Sequence, residues 1–207
     1  MNNNFFKWLY KSVIKYTRLI VNHIDGFYFF VAKMLNFKWI LQRLLFSTCS
    51  FEKRVKLLRK MWVTIGNNCE IYPNVSFGSE PYLIQIGNNV RITEWVSLTT
   101  HDWGMRVLRN TGNLPNADKF WKIKIGNNVH IWMRSIIMPG VAIGDNVVIG
   151  CLSVVTRDIP ANSVAAWIPC RIIESIDDYY EKNKNKVLNT KNMTSSKKEK
   201  IVWDYYK

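Results

Sequence analysis

The sequence has few of the residues on which several common functions depend. Among 207 residues there are four cysteines, three histidines and 15 acidic residues, against 29 lysines and arginines. No two cysteines form a CxxC pair, and Cys69 falls in a core position of the repeat described below. Both a disulfide framework and a zinc site are therefore disfavoured. Reduced cysteines are typical of a cytoplasmic protein, which is the location we expect.

The sequence also lacks a long uninterrupted apolar run. Charged residues divide every candidate segment near the N-terminus: Arg18, Asp25, Lys33, Lys38 and Arg43. Since a membrane-spanning helix needs about 20 consecutive apolar residues, none is expected. The start of the chain also differs from a signal peptide, because lysines run through the part that should be apolar.

Positive charge is concentrated in segment 1–60, which contains twelve lysines and arginines, two acidic residues and 13 of the 28 aromatic residues. Residues 5–20 have the spacing of an amphipathic helix with one apolar and one basic face. Further helices are predicted over 27–46 and 51–61. Such an arm favours peripheral contact with an anionic membrane, at the inner face of the cytoplasmic membrane. Packing on the rest of the protein is an equal alternative, and nucleic-acid binding is disfavoured because apolar faces alternate with the basic stripe.

Residues 125–160 repeat with a period of six. A large β-branched residue opens each repeat: Ile125, Ile131, Ile137, Ile143, Ile149 and Val155. The fifth position is small or β-branched: Val129, Ser135, Val141, Val147, Ser153 and Ile159. A period of six fits neither a helix nor a plain strand. It predicts a short strand followed by a corner, and stacked coils of this kind share one continuous core.

The same repeat begins at Ile65 and is interrupted twice. Segment 78–85 shifts the frame by three positions, and an excursion over 99–122 breaks the pattern before Ile123. Without the excursion, segment 65–160 has the length of about four coils, each made of three hexapeptides. We predict an N-terminal helical arm over 1–61 and a repeat domain over 62–173. A tail follows over 174–207, with one helix over 176–187.

These repeats resemble those of the hexapeptide-repeat acyltransferases. The resemblance implies an all-β core, a left-handed parallel β-helix, and assembly as a homotrimer with active sites between subunits. The segments GSEPYLIQIGNNVRIT, THDWGMRVLR and AAWIPCR are similar to the polysaccharide and sugar O-acetyltransferase branch, related to galactoside and maltose acetyltransferases. That branch implies transfer of acetyl from acetyl-CoA, without a metal, to a sugar hydroxyl of a bacterial surface polysaccharide. The acceptor would be capsule, the O-antigen of lipopolysaccharide or a lipid-linked precursor.

The resemblance also assigns site residues. His101, at the start of the excursion, matches the general base that deprotonates the acceptor hydroxyl. Asp102 and Glu80 are expected as its catalytic partners, although Asp102 is as well explained as a turn residue that caps its own backbone. Acceptor contacts are expected from four residues: Asn74, Glu80, Tyr82 and Trp103. Contacts with CoA are expected from nine: Trp132, Ser135, Gly150, Ser153, Ala165, Ala166, Trp167, Pro169 and Arg171.

Some large side chains stand where the family commonly has small ones. These are Trp132, Trp167 and the pair Cys151–Leu152. They either occupy outward positions that tolerate bulk, or they narrow the CoA cleft and weaken donor binding. Two other functions stay open. One is an N-acetyltransferase acting on a nucleotide-linked amino sugar or an antibiotic, and the other is a β-helix that has lost catalysis and serves as an assembly or membrane-binding module.

Overall fold

A computed structural model describes residues 48–207 of the chain, so the predicted helices over 5–20 and 27–46 lie outside the described residues. The helices are α1 Phe51–Lys60, α2 Met105–Asn110, α3 Ile176–Asn183 and α4 Ser195–Tyr205, and a 3₁₀ turn spans Pro81–Leu83. The strands are β1 Thr64–Ile65, β2 Glu70–Ile71, β3 Ile84–Ile86, β4 Arg91–Ile92, β5 Ser97–Leu98, β6 Ile123–Ile125, β7 Val129–Ile131, β8 Ile136–Ile137, β9 Ala142–Ile143, β10 Val147–Ile149, β11 Val154–Val155, β12 Ser163–Ala166 and β13 Arg171–Ser175.

These short strands form three sheets, which are the three sides of a β-helix. The first side contains β1, β3, β6 and β9, and the third contains β5, β8 and β11. The second side contains β2, β4, β7, β10 and β12, all parallel, and β13 pairs with β12 in the antiparallel direction. Because the chain visits the sides in rotation, every strand pairs with the equivalent strand of the next coil. The stacked coils predicted from the period of six, and the parallel β-helix that the resemblance implies, are confirmed.

The pairing on the first side shows that the coils differ in length. Ile65 pairs with Ile86, Ile86 with Ile125, Ile125 with Ile143, and Ile143 with Ile159. The first interval contains segment 78–85, and the second, which is the longest, contains the excursion, as the sequence predicts. The third is a regular coil of three hexapeptides, and the last is slightly shorter than that.

The interior explains the two regular positions of the repeat. Ile71, Ile92, Ile131 and Ile149 stack along the second side with no exposed surface. The fifth-position side chains also point inward, where the corner leaves less room. Burial of one such isoleucine contributes about 1.5–3 kcal/mol, so the stack is the main source of stability.

The corner between the first and second sides is built from glycine and asparagine. A Cβ atom added to Gly87 would lie 2.6 Å from the carbonyl oxygen of Gly126 in the next coil. Two positions after Gly126, Asn128 has a φ of 54°, and its side-chain amide donates to the Oδ1 atom of Asn146 at 2.8 Å. Glycine is therefore needed for close approach of the coils, and asparagine is suited to the left-handed backbone and the ladder of amides.

Helix α1 covers the open end of the first coil. Val55 and Leu58 are buried against it. The Arg54 guanidinium, which is 2% exposed, donates to the Ile71 carbonyl at 2.7 Å, and Arg59 donates to the Gly66 carbonyl at 2.7 Å. No strand precedes this coil among the described residues, so the helix occupies an edge that would otherwise be open.

The C-terminal tail differs from the prediction of one helix over 176–187. Helix α3 begins with a capping box between Ser175 and Asp178 but ends at Asn183, and α4 forms a second helix. The capping hydrogen bonds from Ser175 lower the pKa of Asp178. The sequence did not reveal α4 because SSKKEKIVWDY has no regular apolar face.

Replacement of Gly87 by alanine tests the contact between coils. We expect the thermal unfolding midpoint to fall sharply, because the new Cβ atom meets backbone that cannot move aside, and overpacking of this kind costs about 1–3 kcal/mol or more. The control is Gly112→Ala in the excursion, where φ is +78° but no atom lies within 4 Å of the added Cβ atom. Equal melting temperatures for the two variants would contradict the packing described here.

Candidate active site

The excursion over 99–122 leaves the third side of the second coil and returns to the first side of the third coil. Its two ends pair with each other, since His101 and Phe120 form an antiparallel bridge and the Trp121 amide donates to the Thr100 carbonyl at 2.8 Å. Helix α2 lies between the paired ends. His101 is therefore held on paired backbone at a corner of the β-helix.

His101 contacts Glu80. The Nδ1 atom of His101 lies 2.8 Å from the Oε2 atom of Glu80, and the two side chains are 14% and 13% exposed. The Glu80 oxygen also accepts a hydrogen bond from the Thr100 hydroxyl at 2.9 Å. A carboxylate only accepts, so Nδ1 carries the proton in this arrangement. The Nε2 atom then carries the lone pair and has no hydrogen-bond partner among residues 48–207.

The Glu80 carboxylate is favoured in its ionised form. Burial raises the pKa of Glu80, but hydrogen bonds from Ser79, Thr100 and His101, together with the charge of the imidazolium, outweigh this effect and hold the pKa below its usual value. An ionised carboxylate at Nδ1 fixes the orientation of the ring and the nitrogen that carries the proton.

Exposed aromatic rings surround the imidazole. The Trp103 ring packs edge-on against His101 with 4.5 Å between centroids, and the Phe120 ring lies 6.3 Å away. Trp103 is 73% exposed and Phe120 is 47% exposed. Tyr82, which is 60% exposed, lies in the 3₁₀ turn that follows Glu80. Rings of this size exposed beside a histidine provide apolar surface for a ligand.

Neither Asp102, expected as a catalytic partner, nor Asn74, expected to contact the acceptor, hydrogen-bonds to His101. The Asp102 carboxylate accepts a hydrogen bond from the Gly104 amide at 2.8 Å, so it closes a turn of the excursion, and no hydrogen bond joins it to His101. This is the capping alternative considered for Asp102. Asn74, with a φ of 64°, is a corner residue between the second and third sides of the first coil, whereas His101 lies at the other edge of the third side. Within one chain, Asn74 and His101 therefore lie at different corners of the β-helix.

Three of the residues expected to contact CoA face the interior. The Ser135 and Ser153 hydroxyls both donate to the Gly150 carbonyl, at 2.9 and 2.7 Å, and both residues are 0% exposed, as is Ala165. Their side chains belong to the coil interior, which corrects the expectation that they line a cleft. Gly150 instead packs against Ala166, whose Cβ atom would lie 2.7 Å from an added Cβ atom.

The other expected CoA contacts are on the surface. Trp167 is 67% exposed and has a φ of 87°, in a region that glycine adopts without strain. Trp132 is 46% exposed and stacks on His130 with 5.4 Å between ring centroids. Pro169 and Arg171 are also exposed. With Leu152, which is 55% exposed, the two tryptophans form what we call the apolar edge.

The contact between Glu80 and His101, which the resemblance implies, also follows from the register of the first two coils. The bridge between Ser76 and Ser97 fixes how the first two coils are aligned on the third side. The same alignment, continued four positions further, places residue 101 beside residue 80. Thr100 and Phe120 were missed because neither belongs to a repeat position with an assigned role.

Among residues 48–207, no group of three or more His, Cys, Asp or Glu side chains is placed to hold a metal ion. Cys69, Cys151 and Cys170 are thiols that take part in no disulfide. Within the same range, the helices are too short or too polar to cross a bilayer.

Comparison with known proteins agrees with this geometry. The family model for bacterial transferase hexapeptide repeats matches residues 122–157. Protein CapG of Staphylococcus aureus is 43% identical over 152 residues, which are 72% of this chain and 87% of CapG. Galactoside O-acetyltransferase of Escherichia coli K12 is 39% identical over 156 residues, which are 64% of this chain and 75% of that enzyme.

A solved structure shows the same fold. A hexapeptide-repeat acetyltransferase of Vibrio cholerae, complexed with acetyl coenzyme A, superposes with a TM-score of 0.51 at 22% identity, covering 64% of this chain and 82% of the other. The expected left-handed parallel β-helix is thereby confirmed.

The chain belongs to the hexapeptide-repeat transferases, in the branch of the sugar O-acetyltransferases. The expected enzyme class, an acyl-CoA-dependent acetyltransferase, is confirmed at the level of the family.

Proposed function

We propose that this protein transfers acetyl from acetyl-CoA to a hydroxyl group of a sugar in a bacterial surface polysaccharide or its lipid-linked precursor, with His101 as general base. The observation that carries the proposal is the 2.8 Å contact between His101 Nδ1 and Glu80 Oε2, which leaves Nε2 as the acceptor of a proton. The relatives named as galactoside O-acetyltransferases support the sugar acceptor.

In the proposed reaction, Nε2 of His101 removes the proton of the acceptor hydroxyl as its oxygen attacks the thioester carbonyl. The new C–O bond gives a tetrahedral intermediate. Its collapse breaks the C–S bond, and the imidazolium returns its proton to the leaving sulfur. Glu80 stabilises the imidazolium between these steps, and no covalent enzyme intermediate forms. A general base contributes roughly 10²- to 10⁴-fold to such a rate.

The rings around His101 suit a sugar acceptor. A pyranose has an apolar face of C–H groups and hydroxyls around its rim, so one face can rest on Trp103 or Phe120 while a hydroxyl points to Nε2. Tyr82 adds a phenol that can donate or accept a hydrogen bond. An amino sugar fits the same surface, and the N-acetyltransferase alternative therefore stays open.

Substitution of the histidine and the two neighbouring acidic residues tests the proposed roles. We expect His101→Ala to lower kcat by roughly 10²- to 10⁴-fold, and Glu80→Gln to lower it strongly as well, because the amide cannot stabilise the imidazolium. Asp102→Asn keeps an oxygen for the Gly104 amide and should stay close to wild type. Release of CoA thiol is measured with paired hydroxyl and amino sugars. Full activity of His101→Ala would overturn the base role, and turnover with amino sugars alone would establish N-acetylation.

Acetyl-CoA is the proposed donor. The apolar edge and Arg171 offer exposed apolar surface and a cation for it, and the V. cholerae structure with the same fold contains acetyl coenzyme A. The backbone conformation of Trp167 is one that glycine adopts freely. Replacement by glycine therefore tests whether the bulk of this side chain narrows the CoA cleft.

Calorimetry of acetyl-CoA binding distinguishes these cases. We expect micromolar-range binding by the wild type and comparable binding by Trp167→Gly. If the wild type does not bind and the glycine variant does, the chain is a β-helix in which donor binding has lapsed. Trp203→Gly is the control for loss of an exposed tryptophan, because it lies in α4, outside the β-helix.

Trimer formation and peripheral membrane contact are further parts of the proposal. The third side exposes Ile136 and Met138, each 37% exposed, which suits burial between subunits. The composition of segment 1–60 favours an anionic lipid surface. Sedimentation equilibrium should give three times the mass of one chain, and the mass of a monomer would refute the trimer.

The chain with segment 1–60 present should float with anionic but not with neutral liposomes. Equal behaviour with both lipids would refute the membrane contact.

A further inference from the structure

Thr100 is a buried polar residue next to the catalytic histidine. It is 0% exposed, and its hydroxyl donates to the Oε2 atom of Glu80 at 2.9 Å, the same oxygen that lies 2.8 Å from His101 Nδ1. A hydroxyl without exposed surface cannot exchange this bond for one with bulk water. The bond between Thr100 and Glu80 is therefore a fixed part of the site.

The surrounding backbone is arranged for this contact. The Thr100 carbonyl accepts a hydrogen bond from the Trp121 amide at 2.8 Å, so its main chain is held by the base of the excursion. On the other side lies Gly78, with a φ of 64°, where an added Cβ atom would be 3.3 Å from the Thr100 hydroxyl oxygen. Close approach of the two segments places the hydroxyl between the coil and the carboxylate.

We propose that Thr100 is a positioning residue that holds the Glu80 carboxylate so that His101 keeps its proton on Nδ1 and its lone pair on Nε2. This inference rests on the proposed function, because it concerns the same histidine. Thr100 is buried and acts through Glu80.

The chemistry follows from the valence of one oxygen. A neutral imidazole has one protonated nitrogen and one nitrogen with a free lone pair. The hydrogen-bond partner of one nitrogen determines which of the two carries the proton. Glu80 Oε2 has two lone pairs. The Thr100 hydroxyl occupies one and favours the ionised carboxylate, so the other receives Nδ1–H. Without the hydroxyl, only Ser79 and His101 remain to hold the carboxylate in place and ionised, and the Nε2–H tautomer becomes accessible.

The test measures the tautomer directly. The full-length protein is labelled with ¹⁵N in histidine; it contains only His23, His101 and His130, and the His101→Gln variant identifies the signals of His101. Ring spectra are recorded above the pH range in which histidine titrates. We expect the Nδ1–H tautomer of His101 in the wild type and in Thr100→Ser, and a mixture with the Nε2–H tautomer in Thr100→Val.

Kinetics provide the second readout. Thr100→Val should lower kcat roughly 10- to 100-fold, as expected for loss of one hydrogen bond to a charged group, and should leave KM for acetyl-CoA unchanged. Thr100→Ser should restore most of kcat. The matched control is Thr93→Val, which removes a hydroxyl that donates to the Ile131 carbonyl at 3.0 Å on another part of the β-helix. It should lose stability without loss of kcat.

The outcomes separate this inference from the proposed function. A wild type with the Nε2–H tautomer would refute the base role of His101 and the inference with it. An Nδ1–H tautomer and wild-type kcat in Thr100→Val would refute the inference and leave the base role intact. If Thr100→Val does not fold, Thr100→Ala removes the same hydroxyl without a branched side chain, and the same spectra decide.

Discussion

Contact between the backbones of successive coils is the constraint on which the rest of this structure depends. Parallel strands lie about 4.8 Å apart, and at the glycine corner no side-chain atom fits between Gly87 and Gly126. The interior isoleucines can stack only if each coil keeps this spacing on all three sides. A coil can therefore gain residues only by an outward bulge at a corner, and the two long coils, which end at Ile86 and Ile125, are of this kind.

Both extra segments leave from the same corner, between the third and first sides, in neighbouring coils. The first segment contains Glu80, and the second, the excursion, contains His101 close to its start. Because the two coils are stacked in the register that pairs Ser76 with Ser97, the acid and the base meet at 2.8 Å. The rigid stack thus holds two residues of surface loops in a defined relative position, which the proposed catalytic role would require.

The sequence predicts the repeating part of this molecule well, because the period of six is a local pattern that reports which side chains point inward. It also locates the excursion. The same inward rule should have excluded Ser135 and Ser153 from a cleft, since they occupy the fifth position of their repeats. The sequence did not reveal α4 or the shortened closing coil, and it left the turn role of Asp102 as one of two alternatives. Those features depend on caps and hydrogen bonds that no periodicity records.

The Glu80–His101 pair is not needed by the fold. The two side chains are largely removed from water, and apolar residues of similar size often serve stability as well as such a polar pair or better. Here the carboxylate is kept ionised by donors from Ser79, Thr100 and His101, an arrangement that adds little to a core already filled by isoleucine and valine. The exposed rings of Trp103 and Phe120 lie beside the histidine. A perturbed carboxylate beside a histidine is the combination expected of the general base proposed above, and stability alone does not require it.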